Sequence, residues 1–218
     1  VQSPMKTTDA LKSPPNQRPS PPHSPQPSPV STSSRKRQIK ILIDGANVGR
    51  SRYYDAEYTG EARREFDLRR EAAGVYCKPI RANAILSVFR HIMRANENNL
   101  SVEYIPMVFV ADHVLNGGRN GAMAAFAAHK LRTDEMKAFV TTTPSGRDDD
   151  VIQLSYLIRE NERGRLTYIV SQDLFTDHVR SGLISAELLD SRLLSFAFLA
   201  DSREVIIATP VGEDLPGL

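Results

Sequence analysis

The sequence predicts an α/β domain in which a central, mostly parallel sheet has helices on both faces. Two observations lead to this fold class. Short runs rich in β-branched residues alternate along the chain with longer segments whose apolar residues recur at helical spacing. The 218 residues are 40% apolar and 25% charged, which is ordinary for a globular domain, and the length allows one domain plus a tail.

The first 38 residues differ in composition from the rest. They hold nine of the fourteen prolines and no aromatic residue, so they cannot bury enough apolar surface to offset the entropy of ordering. We predict a disordered, Pro/Ser-rich basic tail over 1–38, a folded domain over 39–210 and a short C-terminal tail over 211–218. The tail carries six basic residues and one acidic residue, and the whole chain carries +2, which leaves −3 on residues 39–218. The folded part is therefore not a generally basic nucleic-acid binder.

The first elements follow directly from local pattern. Ile39–Asp44 is predicted as a short buried strand, because it is rich in β-branched residues and is ended by Gly45. A polar, tyrosine-rich segment follows, with a helix near 61–73. Pro79 to Asn98 is predicted as an amphipathic helix, since its apolar residues fall at helical spacing and proline suits a first turn.

The alternation continues through the second half of the chain. The remaining predicted elements are a strand at Val102–Ala111, a loop at 112–120, a helix to about Met136, a strand at 138–141, a loop at 144–148, a helix at Asp149–Glu162, a strand at 166–170, a helix near 174–180 and a terminal hairpin of strands at 193–199 and 204–209. In such folds ligands bind outside the carboxyl ends of the strands. The residues just after each strand are therefore the candidates for a site.

Those positions are unusually acidic. Asp44 follows the first strand, the run Asp148–Asp150 precedes the long helix, and Asp173 and Asp177 follow the fourth strand at a spacing that lets both share one helical face. Two like charges about 4 Å apart repel by roughly 1 kcal/mol in water and by more at a partly buried site. A divalent cation removes this repulsion, and carboxylate oxygens suit Mg²⁺ or Mn²⁺.

The same side chains indicate a reaction. The single cysteine, Cys77, excludes a disulfide framework or a multi-cysteine zinc site within this chain, and neither glycine-rich nucleotide-binding motif occurs. A site made of carboxylates suits hydrolysis of a phosphodiester, in which metal ions activate water and stabilise the leaving oxygen. Each aspartate also has a structural interpretation, as a turn residue or a helix N-cap, and only their joint placement favours function.

Basic residues in loops or at helix ends are candidates for holding substrate phosphates, with a solvated surface as the alternative for each. These are Arg119, Lys130, Arg132 and Arg147.

The chain shows neither an apolar stretch of about 18 residues nor a secretory signal, and it has one cysteine. We therefore expect an intracellular protein without a membrane partner, placed in the cytoplasm with the nucleus as the alternative.

Three motifs, in order, resemble those of the NYN nucleases, a branch of the PIN-like fold. Ile43–Val48 looks like the opening motif of these nucleases. Thr143–Ser145 before the aspartate run resembles the corresponding loop of Regnase-type members. Val170–His178 is similar to their last acidic motif and to that of the metallonuclease domain of protein-only RNase P. The resemblance covers roughly residues 39–180 and implies a PIN-like three-layer sandwich.

The resemblance also implies an activity and roles for single residues. The activity is metal-dependent endonucleolytic hydrolysis of single-stranded or loop RNA, in RNA decay, silencing or processing, with Mg²⁺ or Mn²⁺ as cofactor. Asp44 would be the metal ligand of the first strand, and Asn47 would orient it or the substrate. Asp173 would be a fourth ligand and Asp177 an outer one.

Two residues of the aspartate run would form the central acidic pair. Likeness to the RNase P form favours Asp149 and Asp150, whereas a Regnase-like register would favour Asp148. His178 is a further candidate to approach the scissile phosphate, with a packing role as the alternative. Gln172 stands where the relatives usually carry asparagine.

Two other functions are compatible with the same motifs. One is an RNA-binding or scaffold component of a silencing or decay complex, which would have RNA and proteins as partners. The other is a DNA-directed flap-type nuclease. The zinc finger that follows the nuclease domain in Regnase-type proteins cannot be built with one cysteine. The sequence leaves the RNA target and the oligomeric state open.

Overall fold

The computed structural model describes residues 36–51, 68, 80–116, 125–144, 146–199, 202 and 204–218. Six strands in these ranges form one sheet. They are β1 (Arg37–Asp44), β2 (Val102–Ala111), β3 (Val140–Thr143), β4 (Thr167–Val170), β5 (Leu193–Phe198) and β6 (Val205–Ala208). The order across the sheet is β3-β2-β1-β4-β5-β6. All neighbours are parallel except β5 and β6, which form the predicted antiparallel hairpin.

The helices of the described residues lie in both outer layers. They are α1 (Gly45–Gly49), α2 (Ala82–Asn98), α3 (Asp112–Leu115), α4 (Ala125–Leu131), α5 (Asp134–Lys137), α6 (Asp149–Glu162), α7 (Thr176–Arg180) and α8 (Ala186–Asp190). The central strand β1 is buried on both sides. Its Ile41 and Ile43 join the apolar cluster that includes α2, and Leu42 joins the cluster that includes α6. The predicted three-layer α/β sandwich is confirmed.

The chain order creates a crevice at the centre of the sheet. From β1 the chain moves outward to β2 and β3, then returns to the other side of β1 to place β4. Parallel pairing aligns Ile43 of β1 with Val108 of β2 and with Val170 of β4, so β1 and β4 end at the same level while β2 continues to Ala111. The carboxyl ends of β1 and β4 therefore form a topological switch point, where ligands bind in folds of this type.

Several element boundaries differ from the predicted ones. The strand β2 and the helix α6 have the predicted bounds. The helix α2 begins at Ala82 instead of Pro79, with Arg81 as its N-cap in an extended conformation. The predicted loop at 112–120 opens with the helical turn α3. The segment 186–190, for which no element was predicted, forms α8.

Three further element boundaries differ from the predicted ones because of local hydrogen bonds, strand pairing or a turn. The predicted helix to Met136 is two helices, because Thr133 interrupts it and caps α5 by accepting from the Met136 amide. The strand predicted at 138–141 lies at Val140–Thr143, where it pairs with β2, and Phe139 still closes the turn after α5. The helix predicted near 174–180 begins only at Thr176. The helix predicted near 61–73 lies outside the described residues, apart from Leu68.

The last eight residues, predicted as a short C-terminal tail, pack against the domain. Leu215 is buried. The Pro216 carbonyl accepts hydrogen bonds from Asn99 Nδ2 and Tyr104 Oη, both at 3.1 Å. The Glu213 carboxylate accepts from Tyr168 Oη at 2.7 Å and from Arg192 Nη1 at 3.1 Å.

No helix among the described residues is long and apolar enough to cross a membrane.

A buried ion network joins α6 to the sheet at the end opposite the crevice. Glu160 is 1% exposed, and its carboxylate accepts from Lys40 of β1 at 2.8 Å. Arg163 and Arg165 approach the same carboxylate at 3.0 and 3.3 Å. The hydrogen bond from Lys40 is the main cause that lowers the pKa of Glu160 to about 2. The network holds the C-terminal half of α6 against β1.

Candidate active site

Asp44 lies at the bottom of the crevice, as the last residue of β1. Its side chain is held on both oxygens: Oδ1 accepts from the Asn47 amide at 2.9 Å, and Oδ2 accepts from Ser171 Oγ at 2.8 Å. The first bond makes Asp44 the N-cap of α1, and the second links it to the residue that follows β4. Burial raises the pKa of Asp44 to about 6, although both hydrogen bonds oppose the shift.

The turn from β1 into α1 requires glycine at position 45. A Cβ at Gly45 would lie 2.5 Å from the carbonyl oxygen of Phe109 and 2.6 Å from Cγ2 of Val110. No side chain fits between β1 and β2 at this point. The glycine of the opening motif is thus explained by the close approach of the backbone after β1 to β2.

Asn47 connects α1 to the loop after β4. Its Oδ1 accepts from the backbone amide of Gln172 at 2.8 Å. The Gln172 side chain turns away and donates from Nε2 to the Phe196 carbonyl of β5 at 2.8 Å. The glutamine found where the relatives usually carry asparagine therefore braces the loop against β5 and does not add a group to the crevice.

The aspartate run lies at the N-terminus of α6. Asp148 is the N-cap, and its Oδ1 accepts from the Asp150 amide at 3.0 Å. Asp149 and Asp150 occupy the first turn and are half-buried. Burial raises the pKa of Asp150 to about 7, and four neighbouring carboxylates add to the shift. These belong to Asp44, Asp149, Asp148 and Asp173.

Asp173 completes this carboxylate cluster from the loop after β4. Its Oδ1 accepts from the Phe175 amide at 2.8 Å, and its own amide donates to Ser171 Oγ at 3.0 Å. Phe175 adopts φ +48°, an unusual conformation for a residue other than glycine, and its ring is buried. The chain thus reverses tightly between Asp173 and α7. Because α7 begins at Thr176, Asp173 and Asp177 do not share a helical face, which corrects the prediction from their spacing.

His178, and not Asp177, turns from α7 toward the cluster. His178 Nε2 lies 3.8 Å from Asp148 Oδ2 and 3.9 Å from Asp150 Oδ2. The Asp177 side chain is 94% exposed and pairs with Arg180 at 3.7 Å. Neighbouring residues of a helix point about 100° apart, so only one of the two can face the crevice.

The basic residues predicted to contact substrate phosphates lie in different parts of the domain, as far as the structure describes them. Arg147 is exposed in the loop directly before the aspartate run. Lys130 Nζ donates to Asn83 Oδ1 at 2.8 Å, between α4 and α2. Arg132 donates to the Leu115 carbonyl and to Asn116, which ties the end of α4 to α3. Arg119 lies outside the described residues.

Ser171 is a site residue that the sequence reasoning missed. It is fully buried, donates to Asp44 and accepts from the Asp173 amide, so it orients two carboxylates at once. The sequence did contain a signal for this residue, because Ser171 directly follows β4 and so lies at the edge of the sheet where a site was expected. The prediction from the sequence was based on acidic residues at those positions and did not include a hydroxyl group.

The donor groups fit a hard divalent cation. One oxygen of Asp148, one of Asp150 and a ring nitrogen of His178 all lie within 4.8 Å of one another. Burial is the main cause of the raised pKa values of Asp44 and Asp150, and repulsion between the carboxylates adds to it. A bound cation would offset this repulsion, and oxygen-rich donor sets suit Mg²⁺ or Mn²⁺.

The sheet order and the carboxylate cluster in its central crevice have the form of a PIN-like domain with an acidic centre. No protein-family model and no curated protein matches the sequence. Solved structures do match. The nuclear protein-only RNase P 2 of Arabidopsis thaliana is 15% identical at a TM-score of 0.50, over 79% of this chain and 30% of that one. A second structure of this RNase P from the same plant is 12% identical at a TM-score of 0.46, with the same coverage.

The first of these comparisons confirms the predicted likeness to protein-only RNase P at the level of fold. The chain spans less than a third of the length of these structural relatives.

Proposed function

We propose that this protein is a metal-dependent endoribonuclease that hydrolyses phosphodiester bonds of single-stranded or loop RNA. The observation that carries the proposal is the meeting of carboxylates from three separate parts of the chain at the switch point of the sheet. Asp44 ends β1, Asp149 and Asp150 begin α6, and Asp173 follows β4. Their mutual repulsion serves no purpose in stabilising the fold, and it is the arrangement that a cation site requires.

In this proposal Asp44, Asp149, Asp150 and Asp173 hold Mg²⁺ or Mn²⁺. The bound cation would supply Lewis-acid stabilisation of charge on the phosphate and would lower the pKa of a water molecule. Asn47 and Ser171 keep the Asp44 carboxylate in one orientation through their hydrogen bonds. His178 can accept or donate a proton at Nε2, which faces the cluster.

Contacts to the substrate backbone would come from basic side chains. Arg147 is the nearest in sequence to the aspartate run and is exposed. We also assign phosphate contacts to Lys130 and to Arg119. RNA decay, silencing or processing is the expected setting, with the proteins of such a complex as further partners, in the cytoplasm or the nucleus.

The test is cleavage of a labelled single-stranded RNA by the purified protein, with Mg²⁺ or Mn²⁺ against EDTA. Asp44→Asn and Asp150→Asn are compared with Asp190→Asn, an equal change on the exposed end of α8. We expect metal-dependent cleavage that is lost in the first two variants and kept in the third. A DNA strand of the same sequence, run in parallel, distinguishes a ribonuclease from a DNA-directed one.

Two results would contradict the proposal. Cleavage that survives in Asp44→Asn would point to a contaminating nuclease. Firm RNA binding without any cleavage would favour the alternative function, an RNA-binding or scaffold component of a silencing or decay complex.

A further inference from the structure

A second concave site lies between α2, α4 and α5. Its volume is about 350 Å³, and it shares no lining residue with the carboxylate cluster. The apolar part of its wall consists of Leu86, Phe89 and Met136, each of them largely buried. Phe89 is fixed by an edge-to-face contact with Phe139, at 5.1 Å between ring centroids. One side of the cavity is therefore both apolar and aromatic.

The rim of this cavity is positively charged. Arg90 and Lys130 each contribute a permanent positive charge, and Glu135 contributes one negative charge. Lys130 Nζ is held at one end by Asn83 Oδ1. The exposed Arg90 forms no ion pair with any residue that the structure describes. A cavity with an apolar wall and an uncompensated guanidinium fits a ligand that is flat and apolar at one end and anionic at the other.

The cavity starts close to the carboxylate cluster. Asn83 belongs to the first turn of α2, and that turn packs against α1 through the bond from the Arg81 amide to the Gly49 carbonyl at 2.9 Å. The helix α1 begins directly after Asp44 and has five residues, which span about 7 Å. One strand of RNA lying across the carboxyl edge of the sheet could therefore contact both sites.

We propose that this cavity is a nucleotide-binding subsite that holds one nucleotide of the RNA strand outside the cleavage site. The base lies against Leu86, Phe89 and Met136, and the phosphate is bound by Arg90 and Lys130. The volume is at the low end for ligand sites and admits one nucleotide. The inference rests on the proposed function for the identity of the strand. A free mononucleotide has the same chemistry, and the experiment separates the two sources.

The first measurement is the affinity for a labelled single-stranded RNA by fluorescence anisotropy in EDTA, where no cleavage occurs. Arg90→Ala is compared with Arg94→Ala, because both arginines are exposed on α2 and only Arg90 lines the cavity. We expect Arg90→Ala to weaken binding about tenfold and to reduce the slope of log K against log salt by about 0.7, the value for one phosphate contact on a single strand. Arg94→Ala should stay within about twofold. Equal weakening by both variants would overturn the proposal.

The second measurement reports on the apolar wall. The methyl resonance of Met136, one of five methionines, is followed by NMR during titration with the RNA and, separately, with AMP. A shift of the Met136 signal with RNA supports the proposal. A shift with AMP alone would reassign the cavity to free nucleotides and would overturn the assignment to the strand.

The outcome is independent of catalysis. If the protein binds RNA through Arg90 but does not cut it, the proposed function fails and the subsite stands. If it cuts RNA with the same KM in Arg90→Ala as in the wild type, the subsite fails and the proposed function stands.

Discussion

At the residue scale, the carboxylate cluster is a place where function and stability oppose each other. Asp150 lies near four other carboxylates, and its raised pKa records both its burial and their charges. His178 Nε2 lies 3.9 Å from its carboxylate and is positively charged only when protonated. Repulsion among the carboxylates opposes folding, and we expect a bound cation to relieve it.

Asp150→Asn should therefore separate these two effects. We expect cleavage to fall at least about 100-fold, because a proposed metal ligand is lost. In EDTA the melting temperature should rise, because one repelling charge is removed from the cluster. Thermal unfolding with and without Mg²⁺ measures this: added Mg²⁺ should stabilise the wild type more than the variant. An EDTA melting temperature lower than that of the wild type would contradict the explanation.

Asp173 and Asp177 differ in position although both were predicted as ligands. Asp173 Oδ1 accepts a hydrogen bond from the Phe175 amide, and the Asp173 amide donates to Ser171 Oγ. The Asp177 side chain, in contrast, is nearly fully exposed. Asp173→Asn should lose far more activity than Asp177→Asn in the same cleavage assay. Equal losses would place Asp177 in the functional site, as the sequence motif alone suggested.

At the scale of single elements, α6 has opposite electrostatic roles at its two ends. Its N-terminus presents Asp148, Asp149 and Asp150 to the crevice, where the helix dipole favours negative charge. Near its C-terminus, Glu160 is enclosed by Lys40, Arg163 and Arg165. The ion network at the C-terminal end anchors the helix, and this anchoring keeps the carboxylates of the N-terminal end in place at the crevice.

Glu160→Gln should destabilise the domain by about 3 kcal/mol, because Lys40 and two arginines lose the carboxylate that compensates them. Glu162→Gln, an exposed change on the same helix, is the control and should change stability by less than about 0.5 kcal/mol. Chemical denaturation of both variants measures the difference. A loss equal to that of the control would mean that the network does not anchor α6.

The same network predicts a dependence on acid. The folded pKa of Glu160 is about 2, below the ordinary value of 4.5. A carboxyl group with a lowered pKa contributes stability that is complete above its unfolded pKa and is lost as the pH falls toward the folded pKa. Between about pH 4.5 and pH 2 the wild type should therefore lose its advantage over Glu160→Gln. An advantage that stays constant across this range would contradict the assignment.

At the scale of the whole molecule, the C-terminal segment closes the core on the side of α2. Leu215 buries its side chain there, and Glu213 and Pro216 accept hydrogen bonds from four side chains, those of Asn99, Tyr104, Tyr168 and Arg192. Removal of residues 211–218 should lower the free energy of unfolding by about 3 kcal/mol, through one exposed leucine and several unpaired polar groups. Urea denaturation of the shortened chain tests this. An unchanged midpoint would show that these residues behave as the tail that the sequence predicted.

The sequence by itself determined the fold class and most of the candidate site. The alternation of strands and helices implies a parallel sheet, and parallel pairing brings the carboxyl ends of strands to one edge. Two of the aspartates, Asp44 and Asp173, come at or after strand ends, and Asp149 begins the helix that precedes β4. Their convergence could therefore be predicted from the sequence. The bounds of β2 and α6 were also predictable, because each is long and has clear apolar spacing.

Only the tertiary structure decided which side chains face the crevice and which partners fix them. The left-handed turn at Phe175 sets the start of α7, and this start directs His178 inward and Asp177 outward. Ser171 gains its role from a contact with Asp44, 127 residues away in the chain. Local sequence patterns report the spacing of residues along a helix or strand. They do not report the rotation of a short helix or a bond between distant segments, because both are set by packing against the rest of the domain.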